Sequence, residues 1–120
     1  MVGTKRQQPL VERARQGDQA AFTQLIRTND QRMRGLAYQM LGSQAAMDDA
    51  LQEAYIKAYT KLSDFRSDAA FGTWLYRIVY TTCIDQIRRR DRKREVALNA
   101  AAEQATAGDL EFAAVERDRV

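Results

Sequence analysis

Apolar residues recur along this chain at three- and four-residue steps, the spacing of one helix face, and the pattern is broken at only a few points. Phe22, Leu25, Ile26, Met33, Leu36, Ala37 and Met40 form one such stripe, opened by Asp18 as an N-cap and stopped at Gly42. Asn29 falls on the same stripe, so its amide needs a hydrogen-bond partner inside the fold, a structural role. Ser43 can cap a further helix to about Leu62, with Met47, Leu51, Ala54, Tyr55, Ala58 and Leu62 as its apolar stripe. A last helix, from about Ala70 to Arg94, is apolar over a broad arc holding Phe71, Leu75, Ile78, Val79, Cys83 and Ile87, as suits a central helix. Ahead of these, Pro9 can open a short helix over LVERARQ that Gly17 ends. The pattern predicts an all-α fold, a compact bundle of three to four helices over residues 9–94, with residues 1–8 as a flexible N-terminus. Residues 95–120 read as an acidic, Ala-rich linker or a helix that needs a partner.

The faces turned away from these stripes carry the candidate chemistry. On the helix after Ser43, Asp49, Gln52, Glu53 and Ile56 project together, an apolar residue set among acids and an amide. Such a face is either ordinary solvated surface or a docking surface for a basic partner helix with Ile56 as the apolar contact. Between the last two helices, SDFRSDAAFG at 63–72 breaks the period and predicts a loop carrying Phe65, Arg66 and Phe71. Aromatic and Arg side chains in a loop can stack on unpaired bases, or they can anchor the loop to the core, the better reading for Phe71. Arg77, Thr81 and Arg88 line one strip of the last helix beside Trp74, and Trp74 is either part of that strip or core.

Composition narrows the chemistry. Hydrophobic residues at 45% and charged residues at 29% predict a soluble globular chain of 120 residues, room for one domain. There is no His, which removes the commonest neutral-pH base and the commonest metal ligand; an enzyme ranks last and no cofactor is implied. One cysteine, Cys83, cannot make an internal disulfide and suits a reducing cytoplasm; on its apolar arc it reads as a core residue. The start MVGTKRQQPL has no apolar signal core, and no run approaches the roughly 18 apolar residues of a membrane span, so no membrane partner is expected.

The net charge of +3 hides its distribution. Residues 1–76 hold ten basic and eight acidic groups, residues 77–94 hold seven against two, and residues 95–120 hold two against six. The basic block comprises Arg77, Arg88, Arg89, Arg90, Arg92, Lys93 and Arg94. It suits the phosphate backbone of a nucleic acid, where each neutralised phosphate releases a counterion; it also suits a solvated helix end, where cations favour the dipole.

Two stretches make the chain resemble region 2 of the bacterial sigma-70 family, in its extracytoplasmic-function (group IV) branch, over about residues 9–94. MDDALQEAYIKAYTKL at 47–62 is similar to the family's polymerase-docking segment, and FRSDAAFGTWLYRIVYTTCIDQIRRR at 65–90 to its promoter-melting segment. The resemblance implies a transcription initiation factor. Asp48, Asp49, Gln52, Glu53 and Ile56 would then meet the clamp helices of the beta-prime subunit of core RNA polymerase. Phe65, Arg66, Ser67 and Asp68 of the loop would capture a base of the non-template strand of the minus-ten promoter element. Trp74, Arg77, Thr81 and the basic group Arg88, Arg89, Arg90, Arg92 and Lys93 would hold the opened strand. An anti-sigma factor is implied as a further partner. The sequence departs from the family pattern at Ala50, where a larger aliphatic is usual, at Tyr59, where Trp is common, and at Tyr80 and Thr81, where Arg and Asn often stand. A second helical domain, which reads the minus-thirty-five element in this family, has no counterpart among the 120 residues and is expected to be absent. The competing reading is a generic helical DNA-binding or protein-interaction module without polymerase specificity.

Overall fold

The structure, a computed structural model, describes the backbone of residues 2–66 and 70–119 and the side chains of residues 9–66 and 70–105. Four helices follow one another: α1 (Val2–Arg15), α2 (Gln19–Leu41), α3 (Gln44–Thr60) and α4 (Phe71–Arg119), with one 3₁₀ turn, Leu62–Asp64, after α3. The chain divides into two units, Met1–Gln86 and Ile87–Val120.

The expected caps form. Asp18 accepts from the Ala21 N–H at 3.1 Å, while Arg13 Nε and Nη2 grip the same carboxylate at 3.0 and 2.8 Å. The Ala21 N–H first, and Arg13 after it, hold the Asp18 carboxyl below its ordinary pKa. Gly17, at φ 100°, closes α1: its N–H reaches the Ala14 carbonyl at 3.0 Å, and the Asp18 N–H reaches that of Arg13 at 3.0 Å. This pair of hydrogen bonds satisfies carbonyls of the last helical turn and needs a left-handed residue at the Gly17 position. Gly42, at φ 78°, ends α2 in the same conformation, and Ser43 caps α3 by accepting from the Ala46 N–H at 3.2 Å.

In the first unit the apolar stripes meet. Leu25, Met33 and Ala37 of α2, Ala50, Ala54 and Ala58 of α3, and Leu75, Val79 and Cys83 of α4 are fully buried. The three alanines, four residues apart, form a ridge without bulk that lets neighbouring helices approach α3 closely. Burial also pushes the Cys83 thiol up in pKa, as suits a small core residue. Asn29 donates to the Leu25 carbonyl at 2.8 Å, which supplies the partner its place in the core requires. Gly72 faces Asn29 so closely that a Cβ there would lie 2.8 Å from Asn29 Oδ1, so any larger residue would force the Asn29 side chain to shift. Farther along, the Arg32 guanidinium lies 5.1 Å from the Tyr76 ring centroid, a cation–π contact between α2 and α4.

At both ends helical backbone runs farther than the apolar period predicts. The first helix starts at Val2 and carries Pro9 inside it, so residues 2–8, expected to be flexible, have helical backbone. They hold Lys, Arg and Gln, good helix formers without an apolar period to announce them. At the other end α4 runs to Arg119 and does not stop near Arg94. The stretch read as a linker or a partner-dependent helix is helical here: it is rich in Ala and Glu and free of Pro, so intrinsic propensity sustains a helix even though residues 88–105 are all exposed.

Candidate functional site

Two solvent faces of the first unit hold the candidate residues that precede Ile87. The first is on α3. Asp48, Asp49 and Gln52 are exposed, Ile56 is 60% exposed, and Glu53 is half-buried. The α3 register explains the set, because the Ala50, Ala54 and Ala58 ridge turns inward and leaves these positions outward. Two members of the set are already engaged. Arg34 of α2 bridges Asp48 at 3.2 Å and Asp30 at 2.7 Å, and Asp30 accepts from the Tyr55 hydroxyl at 2.6 Å. Burial would raise the Asp30 pKa, but the bonds from Tyr55 and Arg34 outweigh it and hold the carboxyl below its ordinary value. Burial first, and Asp30 second, push the Tyr55 phenol well above its usual range, so it remains a donor. Glu53 pairs with Lys57 at 3.4 Å and accepts from Gln86 of α4 at 3.3 Å, while Lys57 donates to Thr82 of α4 at 3.4 Å. Polar contacts thus tie the α3 face to α2 on one side and to α4 on the other.

Beside that face, Phe22, Thr23, Ile26 and Arg27 of α2 line an open groove with Asp30 and Tyr55. Phe22 and Tyr59 meet edge-on, with centroids 5.1 Å apart. Tyr59 is 47% exposed, so the aromatic position that departs from the family pattern still presents a ring to solvent.

The second face is on α4, and here the structure corrects the sequence reading. Phe65, expected in the loop as a contact for bases, is only 3% exposed. Its ring packs 5.9 Å from Phe71 and 5.2 Å from Trp74, and Phe71 and Trp74 are 5.6 Å apart, so the three rings form one cluster. The 3₁₀ turn directs it inward, with the Phe65 N–H bonded to the Leu62 carbonyl at 3.1 Å. A ring gains more from such packing than from water, and edge-to-face geometry adds to it. Trp74 is half-buried by the same cluster, between the two readings its sequence allowed. Arg66 is exposed; Ser67 and Asp68 lie outside the described residues. Arg77 and Thr81 are exposed as expected, but the Thr81 hydroxyl donates into its own helix, 3.0 Å from the Arg77 carbonyl and 3.1 Å from that of Ile78. Arg88, Arg89, Arg90, Arg92 and Lys93 are exposed residues of the second unit.

Several participants were not visible in the sequence. Asp30 and Tyr55, 25 residues apart, and Glu53 and Gln86, 33 apart, come together only through helix packing. The Asp30–Arg34 and Glu53–Lys57 pairs, each at i and i+4, did carry a local signal.

Comparison with known proteins gives the family of the chain. A family model described as Sigma-70 region 2 matches residues 25–93. The RNA polymerase sigma-H factor of Pseudomonas aeruginosa is 37% identical over 112 residues, covering 93% of this chain and 55% of that protein. The ECF RNA polymerase sigma-E factor of Escherichia coli K12 is 41% identical over 86 residues, 72% of this chain and 44% of that protein. Among solved structures, an engineered region 2 of sigmaE, determined by NMR in complex with GTAAAA, superposes with a TM-score of 0.68 at 36% identity. That match covers 72% of this chain and 90% of the solved domain. The chain therefore spans about half the length of the curated relatives it matches. The matched span begins at the α2 core residue Leu25 and ends in the basic run at Lys93, and the chain belongs to the sigma-70 family, of which it carries region 2.

Proposed function

We propose that this chain acts in transcription initiation by binding two partners with two faces. The α3 face, with Asp49, Gln52, Glu53 and Ile56 at its centre and Asp48 at its edge, docks on the clamp helices of the beta-prime subunit of core RNA polymerase. Arg77 on the α4 face and the loop at 64–71 hold the non-template strand of an opened minus-ten element, and Arg88, Arg89, Arg90, Arg92 and Lys93 of the second unit are a separate set of phosphate contacts. The observation that carries this reading is the separation of chemistry: exposed acids around a 60% exposed Ile56 on α3, and an exposed Arg77 on α4. A basic helix fits the first by charge and by one apolar contact. A phosphate backbone fits the second. The complex of the similar sigmaE domain with GTAAAA supports the DNA half.

The mechanism is one of differential affinity. Taking a base out of the stack costs about a few kcal/mol. A surface that binds only the unpaired strand offsets that cost and shifts the promoter from closed to open. Bond-making is left to the polymerase. The setting is the bacterial cytoplasm, and an anti-sigma factor would act by covering the same two faces. A pull-down with core RNA polymerase tests the first half: Asp49→Arg and Glu53→Arg should each reduce retention strongly, and retention unchanged by both would remove the polymerase reading. That outcome would leave a generic helical DNA-binding module.

A further inference from the structure

The solvent face of α4 holds an aromatic residue to which no role has yet been given. At about 100° per residue, Thr73, Arg77, Tyr80, Thr81 and Ile84 fall within one arc, opposite the buried Leu75, Val79, Thr82 and Cys83. Four of the five are exposed and Ile84 is half-buried. The arc contains one guanidinium and no carboxylate, since Asp85 stands off its edge. Tyr80 is 46% exposed. The other aromatics near this face are spent elsewhere: Phe65 is buried, Trp74 leans on two rings, and Tyr76 lies half-buried beneath Arg32. Thr81 has its hydroxyl proton committed to its own helix. Besides the Thr73 hydroxyl, the side chains this face can offer a ligand are a ring and a guanidinium, three residues apart and about 4.5 Å apart along the axis.

We propose that Tyr80 is a base-stacking residue of this domain: it receives the face of an unpaired base of single-stranded DNA while Arg77 holds the adjoining phosphate. The inference rests on the DNA half of the function proposed above and assigns within it the stacking platform that buried Phe65 does not supply. A closed duplex shows a convex helix only base edges and backbone, so a ring projecting from α4 meets a base face only after the base has left the stack. Stacking is tolerant of base identity, because every base has a π-face; Tyr80 would thus contribute affinity for the open strand, with sequence read elsewhere.

The test uses the 120-residue chain, a fluorescein-labelled GTAAAA hexanucleotide, a scrambled hexanucleotide and a labelled duplex, with fluorescence anisotropy as the readout. Tyr80→Ala should weaken binding of either single strand about tenfold, Tyr80→Phe should stay within about twofold of wild type, and Tyr80→Leu should not restore the loss. Tyr80→Ala should leave the salt dependence unchanged, whereas Arg77→Ala should lower the slope of log K against log salt by about 0.7, the loss of one phosphate contact. If Tyr80→Ala binds as wild type while Arg77→Ala is weakened, the stacking role is wrong and the DNA face stands. Wild-type affinity in Tyr80→Leu would reduce the contact to an apolar one, and an equal Tyr80→Ala loss on duplex would mean that no unpaired base is involved; either result overturns the proposal. Failure of the wild-type chain to bind any strand would overturn the DNA half of the function and this inference with it.

Discussion

The two faces are built differently. On α3 two of the three acids are held in place: Asp48 through Arg34 to Asp30 and Tyr55, and Glu53 through Lys57 and Gln86 to α4. On the α4 face the Thr81 hydroxyl bonds its own helix, and Arg77 and Tyr80 are exposed. A side chain pinned from two sides loses little further freedom on binding, which favours a fixed protein partner. An exposed ring and guanidinium can adapt to a strand that is itself flexible. The difference teaches that a surface of this bundle can be read by what restrains it as well as by its charge.

The largest expected effect separates what the bundle does from what the faces do. Gly72→Ala would bring a Cβ to 2.8 Å from Asn29 Oδ1, and Asn29 is itself bonded to the Leu25 carbonyl, so it cannot swing aside without breaking that bond. Overpacking of this kind costs about 1–3 kcal/mol, less the roughly 1 kcal/mol that Ala gains over Gly in a helix. A lower melting temperature should follow, with partial recovery in Asn29→Ala/Gly72→Ala; a more stable single variant would show that Asn29 is not fixed.

Tyr55→Phe comes next and bears on the α3 face alone. It removes a half-buried 2.6 Å hydrogen bond worth about 1 kcal/mol, leaving Asp30 with Arg34. Urea unfolding should show that loss, polymerase docking should weaken, and strand binding should not change. Equal weakening of both ligands would mean that the faces are not independent.

Acid titration reaches the same network by another route. The Asp30 carboxyl has a folded pKa below its unfolded value, so its contribution is fully present above the unfolded pKa and is lost as the pH falls toward the folded one. The stability gap between wild type and Tyr55→Phe, measured by urea midpoint, should therefore narrow as the pH is lowered from 7 to 3. A gap that widens in acid would place the sign of the Asp30 shift the other way.

The smallest effect is expected on α4. Thr81→Val removes a hydroxyl whose proton already serves the helix, so strand affinity should change by less than about twofold. A larger loss would return Thr81 to the contact surface that its position on the strip suggested.

Much of this was legible in the chain. Asp18, Gly42 and Ser43 announced helix ends because a cap is a local event, and Asn29 announced a buried amide because a polar residue interrupted an apolar stripe. Ile56 among acids was visible for the same reason, since one helix turn decides which side chains share a face. Phe65 was misread because an aromatic beside Arg in a loop has the same spelling whether it stacks on a base or on Trp74; only the three-ring geometry decides. Ala50 was left off the predicted stripe although it is fully buried and stands one helical step, four residues, before Ala54, which was on it. Gly72 and the Glu53–Gln86 bond depend on how separate helices approach, which no local pattern encodes. The length of α4 was missed because periodicity reports packing, whereas the stretch past Arg94 is sustained by propensity.

The most direct test of the central claim is a crossed affinity measurement on one set of proteins. Core RNA polymerase and single-stranded GTAAAA are each titrated with wild type, Asp49→Arg, Glu53→Arg and Arg77→Ala. The account predicts a loss of polymerase affinity of tenfold or more, about 1.4 kcal/mol or above, for the two α3 reversals with strand affinity kept, and the opposite pattern for Arg77→Ala. Reversals that leave polymerase binding intact, or that reduce both affinities together, would contradict it.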